Sequence, residues 1–177
     1  MRRRMLLLST LAVAVVVAFA LVAIASAGGT KGSPVKSATP VFKLHLKPSQ
    51  EVPPIQGLRA FGRGSVTFDL TRDSAGAITE GEVVFYVNYR FSGPVTITGL
   101  HIHPGAKGTN GPVVVSSGVT SVSEPDGRGN ITTVVTGVDP ALLQAILDNP
   151  RGYYVNLHTT DYPSGALRDQ LHRPVKF

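Results

Sequence analysis

Cysteine is absent from all 177 residues. That removes disulfides from the stability argument, thiolates from any metal site and a lipid-modified cysteine as a membrane anchor. It also removes the thiol nucleophile. Charge is sparse too, with Lys, Arg, Asp and Glu at 16% of the chain. The basic residues are dispersed, with no basic run interleaved with aromatics, so nucleic-acid binding has no support. The formal net charge of +6 overstates the basic character of the folded part: three of the 17 basic residues are Arg2, Arg3 and Arg4, and without them 14 face 11 acidic ones, leaving +3. Ser116, Ser117 and Ser164 lie in no nucleophile elbow or triad context, and the carboxylates form no catalytic pair. The stretch 105–112 (GAKGTNGP) is Gly-rich but lacks the Lys-Ser/Thr ending and following helix of a phosphate loop. It reads as a tight turn, and catalysis is not expected.

What the chain does have begins at its N-terminus. Arg2-Arg3-Arg4, an almost unbroken apolar run from Met5 to Ile24, and Ala25-Ser26-Ala27 follow the order of a secretory leader with a small-x-small cleavage site. Residues 1–27 are therefore expected to be a signal peptide. The run is long enough that an uncleaved N-terminal anchor competes, and it is the one route to a membrane. Residues 28–40 (GGTKGSPVKSATP) have no apolar periodicity and read as a flexible tether. The folded domain is expected over 41–174, long enough to bury a single core without disulfides.

Within that domain, short alternating segments separated by turn residues dominate. Strands are expected at Val41–Leu46, Gly64–Leu70, Gly81–Phe91, Val95–His103, Val113–Ser117, Val119–Ser123, Asn130–Thr136, Tyr153–Thr159 and Ala166–Leu171. Val66, Phe68 and Leu70 face inward in the second of these, while Ser65, Thr67 and Asp69 face out. Asp73-Ser74-Ala75-Gly76 and Asp126-Gly127-Arg128-Gly129 are strong turns. One helix is expected, with Asp139 as N-cap, Pro140 at the first position and Leu142, Leu143, Ile146 and Leu147 as its apolar stripe. The fold class is all-β: an antiparallel β-sandwich or Greek-key barrel with one short helix.

Histidine carries the candidate chemistry. In Leu100-His101-Ile102-His103 the strand period puts both imidazoles on the face opposite the apolar residues. In Tyr154-Val155-Asn156-Leu157-His158 it puts His158 on the polar face as well. If the two strands are neighbours, His101, His103 and His158 converge on a metal site suited to copper or zinc, with an open coordination position. The alternative is that these imidazoles hydrogen-bond backbone groups and pin the loop 104–112. His45 and His172 are expected at the surface. Arg168 is expected to pair with Glu51 or another carboxylate.

The ordered set Glu51-Val52-Pro53-Pro54, Gly62–Leu70, His101-Ile102-His103-Pro104-Gly105, Asn110-Gly111-Pro112-Val113-Val114, and Tyr154–Thr159 followed by Pro163-Ser164-Gly165-Ala166-Leu167-Arg168 resembles the CHRD domain. That domain is named from chordin and occurs in many bacterial secreted proteins. The resemblance covers Val41 to Leu171 and implies an extracellular β-sandwich module. It departs at Asp169, where a glycine is expected after the arginine. The function expected is a non-catalytic binding module for an extracellular protein or cell-surface ligand; the alternative is an exported copper or zinc protein using the three histidines. The His-x-His strand is also similar to that of Cu/Zn superoxide dismutases, but no bridging histidine follows in a zinc loop, no fourth histidine has the matching context and there is no cysteine pair, so dismutase activity is not expected. N-terminal sequencing of the exported protein should begin at Gly28; a sequence beginning at Met1 would establish the anchored form.

Overall fold

The computed structural model describes Val35–Lys36 and residues 39–176. The expected leader lies outside the described residues. Among those described, no helix is long and apolar enough to cross a membrane.

Eleven strands form two antiparallel sheets among the described residues. The first sheet contains β1 (Val35–Lys36), β2 (Pro40–Leu46), β3 (Ala60–Arg72), β4 (Ile78–Phe91), β8 (Arg128–Val135) and β11 (Val175–Lys176), in the order β11-β2-β3-β4-β8, with β1 beside β3. The second contains β5 (Val95–Pro104), β6 (Val115–Ser116), β7 (Val122–Glu124), β9 (Tyr153–Thr159) and β10 (Leu167–Gln170), in the order β10-β9-β5-β6, with β7 also on β5. The all-β sandwich expected from the alternation is the fold.

Alternation builds the first sheet directly. Phe42, Leu44, Leu46, Val66, Phe68, Leu70, Val83, Phe85 and Val87 are all buried, and the residues between them are half-buried or exposed. The Phe42 and Phe68 rings meet with centroids 5.0 Å apart across β2 and β3. The β3–β4 hairpin turns at Asp73, whose Oδ1 accepts from the N–H groups of Ala75 and Ala77 at 2.9 Å each. Gly76 supplies the positive φ, +85°, that this turn requires. The second sheet contributes Ile97, Leu100, Ile102, Val155 and Leu157 to the same core.

The helix α1 (Pro140–Asp148) is where the sequence places it. Asp139 Oδ1 accepts from the Ala141 N–H at 2.9 Å, and Leu143 and Ile146 are buried while Leu142 and Leu147 pack partly buried beside them. Asn149 and a short 3-10 turn at Pro150–Gly152 deliver the chain into β9.

Some bounds differ from expectation. The hairpin strands β3 and β4 are longer, because the backbone ladder continues past the last alternating apolar residue on both sides of the turn. The segment expected at Val113–Ser117 is paired only at Val115–Ser116, and that expected at Val119–Ser123 shifts to Val122–Glu124. Both are short pieces on one side of β5, so their register is set by β5 and not by their own pattern. Val35–Lys36, inside the stretch read as tether, pairs with Thr71 and Arg72, and Val175–Lys176 pairs with Pro40 and Val41. Two-residue strands have no period to read.

Truncating Phe68 to alanine should cost about 3–5 kcal/mol, and removing the helix cap with Asp139→Ala about 1 kcal/mol. Urea unfolding monitored by circular dichroism measures both. A smaller loss for Phe68 than for Asp139 would contradict this placement of the core.

Candidate metal centre

The β5–β9 register puts Gly99 opposite His158, His101 opposite Asn156 and His103 opposite Tyr154. The β9–β10 register continues the row, with Arg168 opposite Asn156 and Gln170 opposite Tyr154. These side chains share the face of the second sheet turned away from the core, and most of them are nevertheless buried. His103 is 6% exposed, His158 9%, Asn156 2% and Arg168 1%. His101 is half-buried, while His45 and His172 are exposed, as expected.

Two segments roof this face. The loop 105–112 is held from below by Arg168, which donates to Asn110 Oδ1 at 3.0 Å and to the carbonyls of Thr109 at 2.9 Å and Ala106 at 3.3 Å. Gln170 Nε2 donates to the Gly105, Arg151 and Tyr153 carbonyls at 2.7, 2.9 and 2.8 Å. Glu51-Val52 is tied to that loop where Asn110 Nδ2 donates to the Val52 carbonyl at 2.8 Å. Arg168 therefore binds the loop rather than forming the expected ion pair, and the buried Glu51 carboxylate acts on it only as a nearby charge. Asp169, where a glycine was expected, is buried in β10 and accepts from the His45 N–H at 2.6 Å and from Gln50 Nε2 at 3.2 Å. It joins the two sheets.

The three histidines meet. One ring nitrogen from each of His101, His103 and His158 lies within 4.8 Å of the other two, and the ring centroids are 4.8–5.7 Å apart. His103 Nδ1 is 3.0 Å from the Gly111 carbonyl and His158 Nδ1 is 3.0 Å from the Pro163 carbonyl. A carbonyl only accepts, so each Nδ1 carries the hydrogen and each Nε2 keeps its lone pair. Both Nε2 atoms, together with His101 Nδ1, are buried and have no hydrogen-bond partner among the described residues. The expected pinning of the loop 104–112 is thus seen for His103 alone, while His158 engages the Pro163 carbonyl between β9 and β10, and each contact occupies Nδ1 and leaves Nε2 unengaged.

Local backbone chemistry makes room for this. The His101 ring folds back over Gly99, where a Cβ would come within 2.5 Å of His101 Cε1 and 2.9 Å of Nε2. Any larger residue at 99 pushes the ring away. His103 is fixed by stacking on Tyr154, with centroids 4.9 Å apart and planes 7° from parallel, and the Arg168 guanidinium lies 3.4 Å from the centre of the Tyr154 ring.

Electrostatics keeps the imidazoles neutral. Burial, followed by the neighbouring His158 and His103, pushes His101 down to about 4. Burial also lowers His103 and His158, against the carbonyl contacts at Gly111 and Pro163 that raise them. Neutral imidazole is the form that binds metal. Glu51 and Asn156 belong to the same layer and were not picked out as site residues from sequence. Asn156 Nδ2 donates to Glu51 Oε2 at 3.3 Å, and burial pushes the Glu51 carboxyl up to about 7. Asn156 was visible on the polar side of its strand; Glu51 sits in an irregular segment after β2, where no periodicity reports its direction.

A CHRD domain profile matches residues 42–171. The chain belongs to the CHRD domain family. The matched span takes in the histidine strands, the roofing loop and β10, so the whole candidate centre lies inside the CHRD domain. No curated protein and no solved structure matches the chain significantly.

The His101 shift has a consequence for the metal-free protein. Between pH 6.5, its ordinary value, and about 4 the unfolded chain binds a proton that the folded chain resists. Stability should therefore fall as pH drops through that window and level off below it. Glu51 gives the opposite slope between its ordinary 4.5 and about 7, because there the folded chain holds the proton. Comparing wild type with His101→Gln isolates the histidine: urea midpoints measured from pH 7 to 4 should fall less in the variant, and parallel curves would contradict the shift.

Proposed function

We propose that this CHRD domain is an exported metal-binding module that holds copper or zinc through His101, His103 and His158. The observation that carries the reading is that the three rings bring one nitrogen each within 4.8 Å of the others, while each ring holds a buried nitrogen with no hydrogen-bond partner among the described residues. Three nitrogens around one ion at about 2.0–2.1 Å stand about 3.4 Å apart in tetrahedral geometry. Closing from within 4.8 Å asks for side-chain adjustments on the order of an ångström, which imidazoles on neighbouring strands can make.

The surroundings support the same reading. The Gly111 and Pro163 carbonyls receive the far N–H of two rings, which orients them and raises their basicity, as the outer partners of metal-bound histidines do. All three donors are neutral nitrogens, and among the described residues no carboxylate joins the cluster. Imidazole sets suit copper and zinc, and copper(II) binds more tightly than zinc at a given nitrogen site. Three protein ligands leave a coordination position for an exogenous group.

Protein purified without a histidine tag should take up one equivalent of copper(II) or zinc, read by elemental analysis and calorimetric titration. His101→Ala should abolish stoichiometric uptake and leave the far-ultraviolet spectrum unchanged, since His101 makes no side-chain hydrogen bond to the described residues. Gly99→Val should weaken uptake by displacing the same ring. No uptake of either ion by the wild type would overturn the proposal.

A further inference from the structure

The first sheet turns a different kind of surface to solvent. Four of its strands, β2, β3, β4 and β8, lay their outward residues in rows across the sheet. Phe61, Arg90 and Arg128 form one row; His45, Arg63, Asn88 and Asn130 the next; Lys43, Ser65, Tyr86 and Thr132 the third. Most of these side chains are exposed, and no helix or loop among the described residues roofs them as the second sheet is roofed.

Three properties of this strip narrow what it fits. The first is charge: Arg63, Arg90 and Arg128 are joined by Arg59 at the strip's end, while the carboxylates of Asp69 and Glu82 lie opposite one another at the other end of the hairpin. Arg90 and Glu82 are eight residues apart on β4, or about 27 Å, so the face is polarised along the strands. The second is exposed aromatic surface. Phe61 and Tyr86 are each 45% exposed, and Val134, 55% exposed, lies beyond Tyr86 on the same face. Arg63 sits 5.9 Å from the Phe61 ring centre. The third is the middle of the strip, where Asn88, Asn130, Ser65 and Thr132 offer amides and hydroxyls. At the Phe61 end the strip runs into a cavity of about 410 Å³ whose lining includes Arg59, Phe61, Arg90, Arg128 and Asp126. The Asp126 carboxylate there accepts from the Arg128 N–H at 3.0 Å.

We propose that this outer face of the first sheet binds an acidic polysaccharide. A uronic acid chain presents carboxylates, hydroxyls and apolar pyranose faces together. The guanidiniums take the carboxylates, in the two-point geometry that arginine favours. The amide and hydroxyl row takes the sugar hydroxyls, and the Phe61 and Tyr86 rings take the apolar faces. From Arg90 to Tyr86 the strip spans about 14 Å, room for a short run of sugars lying flat. A single-stranded nucleic acid would also meet charge and rings, but its recognition rests on successive bases stacked on closely following aromatics. Here the two rings stand on different strands four positions apart, separated by a polar row.

The test is equilibrium binding of the full-length protein to polygalacturonate in 0.1 M NaCl, with neutral dextran and oligo-dT as parallel probes. Polygalacturonate should bind, and dextran and oligo-dT should bind at least roughly tenfold more weakly. Phe61→Ala and Arg90→Gln should each weaken polygalacturonate binding by roughly tenfold, the loss expected of a principal contact. Arg173→Gln, an exposed arginine outside this strip, removes the same charge and should change it less than about twofold. Metal uptake should be untouched in all three variants, which separates this proposal from the metal reading. Absence of polygalacturonate binding, an equal loss with Arg173→Gln, or tighter binding of oligo-dT would each overturn it.

Discussion

Arg168 is the constraint on which the candidate centre depends. Its guanidinium keeps its charge at any ordinary pH, yet it is only 1% exposed, so its N–H groups have to be satisfied where they lie. They are satisfied by the roof, through Asn110 Oδ1 and the Ala106 and Thr109 carbonyls, and by Gln170 Oε1 at 3.4 Å. The same loop lends the Gly111 carbonyl to His103 and receives the Tyr154 hydroxyl at the Gly111 N–H, at 3.2 Å. The tautomer of His103 therefore traces back through the loop to a charge on the next strand but one. Breaking a buried charge away from its partners costs several kcal/mol, so this loop is bound down far more firmly than its glycine content suggests.

The strand that carries Arg168 also ties the two sheets together. β10 has only four residues, Leu167 to Gln170, and all four are buried. Leu167 enters the core, Arg168 and Gln170 hold the roof, and Asp169 reaches the first sheet at the His45 N–H and the Gln50 side chain. Here a carboxylate stands where a glycine was expected, and the hydrogen bonds explain why it is accommodated: each carboxylate oxygen has a donor.

How much of this could be read beforehand depends on whether a feature is local. The alternation in Ser65–Leu70 and in Tyr153–Thr159 reports strand type and face, because side chains in a strand point alternately to either side. The cap at Asp139 and the turn at Asp73 are equally local. The His101, His103 and His158 set was legible for the same reason, given that the two strands are neighbours. What alternation does not report is whether a polar face meets water. In β2 the intervening residues are half-buried or exposed, while in β9 every residue from Tyr154 to Thr159 is buried, although both sequences alternate. The difference lies in loops distant in sequence: Asn110 is 58 residues from both Val52 and Arg168. For the same reason Arg168 was assigned a carboxylate partner instead of loop carbonyls, and Glu51 was not recognised as part of the layer.

The burial of that face turns the histidines from a pattern into a physical argument. A buried polar atom without a partner costs about 1–3 kcal/mol, and each of the three rings holds one such nitrogen among the described residues. Protons relieve this poorly, because an imidazolium at one ring opposes charge at the next, which is part of why His101 is pushed down to about 4. Hydrogen bonds to Gly111 and Pro163 account for the orientation of two rings but engage the nitrogens pointing the other way. If pinning the loop were the whole task, His101 would have no part in it, and a smaller apolar residue opposite Asn156 would avoid both its desolvation and the need for glycine at position 99. A single cation held between the rings would satisfy all three lone pairs at once, which is the physical ground of the proposed metal site.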